Sequence, residues 1–463
     1  MISTPTCERE LTLWVDPEVA FVRLFGASEH AFWLDAGPGT DRGTSSLGDA
    51  GGEERVVAVL SVPGGGSVLV HPEPGRETPL GESPIDVVSR ADDPPALGWV
   101  GWFGYETAAR HMGAPLAESQ RADSAMLPVA RRVDFDHSAR TVRLSARAGP
   151  EAEAWMRRTE EELRALVGRA PDEPAPAPRR RPVEPRHTVE QYRRLIERCQ
   201  ASITAGDAYQ LCLTNRFETT TDEAPLAVYR RLRRLNPSSL GGFIRAGEHA
   251  LLSSSPETFL ELDRDRLVTT RPIKGTRPRG RTADEDDRLA REVKDDPKER
   301  AENLMIVDLM RNDLSRVCEL GSVAVTSLFD VEAHPNVFQL VSTVTGRLRE
   351  DCGLGELLTA AFPAGSMTGA PKRAAMSILH ELEGGPRGAY AGAFGSISAD
   401  GTAQLAMTIR SIVMRGDRAS IGSGGGITAL SRPDAEIDET HTKIAPLLAA
   451  LGTTIGDADA HHR

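Results

Sequence analysis

From Thr188 onward the apolar positions change period several times, and each change marks an element. The run "TVEQYRRLIERCQASITAG" repeats apolar residues every three to four positions behind a threonine, which predicts a capped amphipathic helix. The runs "YQLCLTNRFE" and "HALLSSSPETFLEL" are apolar stretches of strand length. The helical period returns in "DPKERAENLMIVDLMRND", where Asp296, Pro297 and Glu299 make a good helix start. Strands are predicted again at "AYAGAFGSIS", "AQLAMTIRSIVMR" and "ASIGSGGGI", the last running into a glycine-rich loop, and a closing helix starts at Pro433. Ahead of these, short strands such as "ERVVAVLSV" and "TVRLSA" alternate with Gly and Pro clusters and lead to a charged helix over 151–167. Successive strand pairs with short turns, interleaved with helices, predict an α+β fold built on antiparallel sheets. The proline-rich segment 170–187 divides a β-rich lobe, 1–169, from a second region, 188–463.

Composition narrows the function classes. The chain has 463 residues, 40% of them hydrophobic, enough for a sizeable core. Its 55 basic against 67 acidic residues give a net charge of -12, a repulsive field for a phosphate backbone, so no nucleic-acid partner is expected. No apolar run is long enough to span a bilayer, and "MISTPTCERE" lacks a basic stretch followed by an apolar one. No membrane partner and a cytoplasmic location are expected. Five scattered cysteines without a C-x-x-C pair argue against a disulfide framework or a cysteine zinc site. None sits in a small-residue turn that would expose a thiol nucleophile, so a built-in glutamine-hydrolysing cysteine is not expected.

Four stretches concentrate candidate chemistry. "RPIKGTRPRG", Arg271–Gly280, sets Lys274 among three arginines. In "RPDAEIDETHTKIAPLLAAL", Glu436, Glu439 and Lys443 fall three and then four apart, on one helical stripe. That spacing supports either a Glu–Lys pair that steadies the helix or a hard cation held by two carboxylates. Glu302 borders the run Leu304–Met310, which is apolar nearly all round and reads as buried, so it needs a partner to stay ionised. Mg²⁺ shared with Glu439 would supply one. The successive glycines Gly424, Gly425 and Gly426 fit neither a dinucleotide nor a Walker pattern, yet could let backbone N–H groups converge on an anion.

Taken in order, "GDAYQLCLTNRF", "LLSSSPETF", "RPIKGTRPRG", "ENLMIVDLMRND", "LVSTVTG", "FPAGSMTGAPK", "IGSGGGI" and "DAEIDETHTK" resemble the chorismate-utilising enzymes, with "FWLDAG" and "GWVGWFGYE" resembling them more loosely. The resemblance implies an anthranilate synthase component I-like fold, antiparallel sheets packed as a β-sandwich with flanking helices, and makes 188–463 the chorismate-binding catalytic domain. It makes Glu302 and Glu439 Mg²⁺ ligands with Glu436 beside them, and places substrate-carboxylate anchors at Gly275, Thr276, Tyr390, Arg410, Gly424, Gly425, Gly426 and Lys443. Glu257 matches the family's general acid or base. Isochorismate and salicylate synthases carry a water-activating lysine where this chain has Gln210, and an amide cannot act as that base, so a nitrogen nucleophile is expected.

Lysine in place of alanine in the P-I-K-G-T run resembles the aminodeoxychorismate synthases rather than the anthranilate synthases. It implies that Lys274 attacks C2, directing ammonia to C4. Such a lysine must be neutral, and Arg271, Arg277 and Arg279, pointing inward, would lower its pKa. Ammonia would come from a separate glutamine amidotransferase. Three departures from the family stand out. Gln339 replaces a histidine implicated in proton transfer, and Ser396 and Gln404 replace a tyrosine and an aspartate, which bears on substrate pose. The alternatives are an anthranilate synthase, a 2-amino-2-deoxyisochorismate synthase, or a catalytically silent chorismate-binding regulatory subunit.

Overall fold

The computed structural model describes residues 5–51, 56–73, 75–90, 94–119, 122–177, 181–334 and 337–455. Two antiparallel sheets of twelve strands each face one another across an apolar layer. Phe32, Ile244 and Leu251 enter that layer from the first sheet, and Trp102, Leu127 and Phe394 enter it from the second. Strand residues alternate sides, so Phe243, beside Ile244, turns to the outer face, where it packs with helices Pro17–Leu24, Ala152–Leu166, Pro225–Leu235 and Pro433–Ala450. The outer face of the second sheet is covered by helices Pro297–Ser315 and Leu354–Ala361. The architecture is the helix-flanked β-sandwich that the resemblance implies.

The proline-rich segment divides the sequence, while each sheet draws strands from both sides of it. In the first, His30–Asp35 pairs with Leu240–Ala246; in the second, Trp99–Phe103 pairs with Ala393–Ile397. Side chains follow the same seam. Phe21 and Trp33 stack at 5.5 Å and meet Phe243 and Tyr229 edge-on, and Arg233 Nε donates to Asp35 at 2.6 Å.

Most elements lie where periodicity places them: helices Ala152–Leu166, Val189–Ala205, Pro297–Ser315 and Pro433–Ala450, and strand Gln210–Thr220. Three expectations change. "AQLAMTIRSIVMR" is two strands, broken at Arg410, whose φ is +51°. Leu304, at the head of the run taken as buried all round, is 51% exposed, while Ile306, Val307 and Met310 are buried. The glycines of "IGSGGGI" do not form a loop: Arg418–Ile427 is one strand paired throughout with Gln210–Thr220.

A buried ion pair joins the parts around the future site. Arg387 donates to Glu383 at 2.7 and 2.8 Å, to the Met367 carbonyl at 2.6 Å and to the Cys212 carbonyl at 2.9 Å, and lies 4.4 Å over the Tyr105 ring. Glu383 also accepts from the Thr214 N–H, and Glu106 accepts from the Arg387 and Gly388 N–H groups. Removing one partner strands the other charge without water. Glu383→Gln is therefore expected to lower unfolding stability by about 3–5 kcal/mol, read by urea denaturation, and a loss below about 1 kcal/mol would contradict this role.

Candidate active site

Lys274 belongs to Ile273–Pro278, the edge strand of the second sheet. Gly275 breaks the register there, leaving Lys274 opposite Leu340 and Thr276 opposite Gln339. At Gly275 φ is +74°, and an added Cβ would come within 3.1 Å of Val293 and 3.2 Å of Glu299, so the bulge requires glycine. The lysine reaches across to the first sheet: a Cβ placed on Gly426 would stand 3.5 Å from Lys274 Nζ and 2.1 Å from Gln210 Nε2.

The remaining glycines of that strand have the same use. A Cβ at Gly422 would collide with the Tyr390 ring at 2.1 Å, and one at Gly425 would approach Glu436 Oε2 to 3.0 Å. The run is a strand stripped of side chains so that others can close on it. Past Ile421 the neighbouring strand Ser411–Arg415 no longer pairs with it, which leaves one backbone edge open. Lys443 Nζ donates to the Gly424 carbonyl at 2.7 Å on the helix side.

Carboxylates and ammonium groups interleave around Lys274. Glu302 Oε2 lies 3.7 Å from Lys274 Nζ, and Lys298 Nζ lies 3.7 Å from Glu302 and 3.4 Å from Glu436. Glu439 pairs with Lys443 at 2.7 Å, and Glu436 accepts from Ser431 Oγ at 2.7 Å. Burial pushes the Lys274 amine down in pKa, but Glu302, Cys212, Glu257 and Glu439 outweigh it, and the net shift is upward. The expected lowering by arginines does not occur because they point elsewhere. Arg271 pairs with Glu332, Arg277 with Asp296 at 2.9 Å and Arg279 with Asp286 at 2.9 Å.

Glu257, between strands His249–Ser255 and Thr258–Leu262, is buried, and burial raises its carboxyl to about 7 against the opposing pull of Lys274 and a Ser366 hydrogen bond. Tyr390 is buried and its hydroxyl is pushed well above its usual range by burial. The Arg410 side chain has no hydrogen bond or ion pair among the described residues, and burial lowers its pKa. Gln210 Oε1 and Thr408 Oγ1 are buried without partners. Orphaned polar groups of this kind are ones that a polar ligand can satisfy. Ser396 and Gln404 pair across strands in the second sheet and line a different cavity of about 550 Å³ with Leu34 and Ser46. They are not brought to Lys274.

Among the described residues no group of three His, Cys, Asp or Glu side chains is arranged to hold a metal ion. The donor chemistry nevertheless fits a hard divalent cation. Glu302 and Glu436 supply only oxygens and share one ammonium, that of Lys298, which a dication could replace. Lys298 was not singled out in the sequence, although its place four residues before Glu302 could have flagged it.

A model of the family described as chorismate binding enzyme matches residues 75–449. The chain belongs to the chorismate-binding enzymes. An aminodeoxychorismate synthase of Streptomyces griseus is 44% identical over 96% of this chain and 63% of its own length, and one of Streptomyces pristinaespiralis is 38% identical over 98% and 66%. The chain thus spans about two thirds of these relatives. Anthranilate synthase component 1 of Streptomyces coelicolor is 36% identical over 94% of this chain and 86% of its own. The crystal structure of anthranilate synthase component I from Streptococcus pneumoniae superposes with a TM-score of 0.73 at 28% identity, covering 94% and 97% of the two chains. No helix among the described residues is long and apolar enough to cross a membrane.

Glu257 yields a stability test. Its carboxyl is raised from 4.5 to about 7 on folding, so the folded state holds a proton that the unfolded chain releases. The contribution of Glu257 to stability is full below about pH 4.5 and is lost as pH rises through about 7. Glu257→Gln should remove that fall and stabilise the protein at pH 8, by an amount on the order of a few kcal/mol. Parallel pH dependences of urea unfolding in the two proteins would contradict the raised pKa.

Proposed function

We propose that this chain aminates chorismate at C4 to give 4-amino-4-deoxychorismate, with Lys274 as a covalent nucleophile. What carries this is the placement of the Lys274 amine, 3.7 Å from Glu302 and facing Gly426 and Gln210, with Glu439 acting on both it and the Arg410 side chain. Arg410, the open edge of Gly424–Gly426 and Lys443 would take substrate carboxylates, with Thr276, exposed beside Gly275, at the rim and Tyr390 closing one side. Glu302 and Glu439, with Glu436 behind them, would hold Mg²⁺. Bound there, the metal would fix the ring carboxylate and offset the anions that keep Lys274 protonated.

In the first displacement the neutral amine bonds to C2, both ring double bonds shift, and the C4 oxygen leaves as water on receiving the proton of Glu257. In the second, ammonia bonds to C4, the double bonds return, and the lysine leaves C2 as a neutral amine. The C4 ammonium returns one proton to Glu257, so the chain ends as it began. A carboxyl near 7 suits both transfers at neutral pH. Gln210, an amide, cannot activate water, which disfavours hydroxylation. Gln339 pairs with Thr276 on the strand beside Lys274, and an amide there orients groups without shuttling protons.

A separate amidotransferase is the proposed source of ammonia, since Cys199, Cys212, Cys318 and Cys352 are buried and pushed up in pKa by burial, the opposite of an activated thiol. Direct amination at C2, as in an anthranilate synthase, is the second possibility, and product structure separates the two. The purified chain with chorismate, Mg²⁺ and ammonium salts is expected to give product with nitrogen at C4 by NMR, and to leave glutamine untouched. Glu302→Gln and Glu439→Gln should each cut turnover by at least about a hundredfold while keeping the wild-type fold by circular dichroism. Nitrogen at C2, no turnover, or normal rates in either variant would contradict the proposal.

A further inference from the structure

The face of the first sheet that carries Gly426 continues beyond the candidate active site. Alternate residues of Arg418–Ile427 share it, so Gly426, Gly424, Gly422, Ser420 and Arg418 form one row. On the paired strand Arg216 stands opposite Gly422 and Glu218 opposite Ser420. Tyr390 partitions this surface, with its ring over Gly422. Lys274 lies on the Gly426 side. On the Arg418 side a cavity of about 780 Å³ opens, with Tyr390, Gly422 and Arg216 in its wall.

The positive charge in that cavity is incompletely matched. Arg186 is lowered in pKa first by burial and then by the neighbouring Arg216. Its hydrogen bonds go to neutral carbonyls, those of Gly385 and Pro386. Arg216 meets Glu218 at 2.9 Å through Nη2, while its Nε is buried without a partner. The Arg418 side chain, in the same wall, has no hydrogen bond or ion pair among the described residues. Glu118 and Glu184 also line the cavity, but no ion pair among the described residues joins them to these arginines. Two adjacent guanidinium groups partly out of water, with Arg216–Glu218 their one ion pair among the described residues and the fields of Glu383, Glu106 and Glu218 only partly offsetting the shift on Arg186, leave donors that an oxyanion satisfies in a bidentate way. Val413, Pro386 and Ala389 add apolar wall for a hydrophobic body attached to that anion.

We propose that this cavity is a second ligand site, which takes a small oxyanion, carboxylate or phosphate, on Arg216 and Arg186 against the far side of Tyr390. Its occupant would press on the ring that borders the chorismate pocket, coupling ligand to substrate. The coupling rests on the proposed function; the binding does not.

Benzoate and inorganic phosphate are the probes, titrated separately by calorimetry into the full chain without chorismate. Saturable 1:1 binding of benzoate assigns a carboxylate ligand, and binding of phosphate alone assigns a phosphoryl one. Arg216→Gln removes the unpaired donor and Val413→Trp fills the floor. Each should weaken binding by about tenfold or more while leaving amination without probe as in the wild type. Arg410→Gln, which disables the proposed chorismate anchor, should keep the binding. No saturable binding of either probe would overturn the site. So would binding lost in Arg410→Gln yet kept in Arg216→Gln and Val413→Trp, which would put the probe in the chorismate pocket. If the binding pattern holds while chorismate is not turned over, the proposed function fails and the second site stands.

Discussion

An amine enclosed between two sheets needs anions to compensate for lost water, and the arrangement around Lys274 follows from that need. Glu302 lies 3.7 Å from it, Glu257 and Glu439 add their fields, and the sum holds the amine protonated despite burial. The same carboxylates draw in Lys298 and Lys443. Substrate carboxylates and a metal would enter an alternating lattice of charge in which any newcomer shifts the protonation of its neighbours. Burial of Glu257 has the complementary effect, keeping a carboxyl near 7 beside a cation.

Close approach is the second constraint. Lys274 comes from one sheet and Gly426 from the other, and a Cβ on Gly426 would touch Lys274 Nζ at 3.5 Å and displace the Gln210 amide, 2.1 Å away. Gly422 likewise makes room for Tyr390, and Gly275 supplies the left-handed turn that disrupts the edge strand beside the lysine. The Glu383–Arg387 pair then ties the Tyr390 turn to strand Gln210–Thr220 and to the Ser366 turn near Glu257. Packing between the sheets and chemistry at their end are thus one problem.

Much of this was legible in residue order. Helices Val189–Ala205 and Pro297–Ser315 carry caps and periodicity, and Glu436, Glu439 and Lys443 fall on one helix by spacing alone. Three features were not legible. Consecutive glycines suggest a loop, because local sequence does not reveal that Tyr390, Gln210 and Glu436 arrive from distant segments to occupy the space. Arginines next to Lys274 in sequence suggest a depressed pKa, but a strand sends neighbours to opposite sides and outlying acids such as Glu332 and Asp286 capture them. The proline-rich segment marks a break in sequence, whereas strand pairing between His30–Asp35 and Leu240–Ala246 crosses it.

The central claim is that Lys274 occupies C2 and thereby sends ammonia to C4. Lys274→Ala tests it most directly, since it removes the amine and leaves Arg410, Glu302 and Glu439 in place. The measurement is product regiochemistry by NMR after incubation with chorismate, Mg²⁺ and ¹⁵N-ammonium. The account predicts that amination at C4 collapses and that residual product carries nitrogen at C2. Formation of 4-amino-4-deoxychorismate by the alanine variant at a near-normal rate would contradict it.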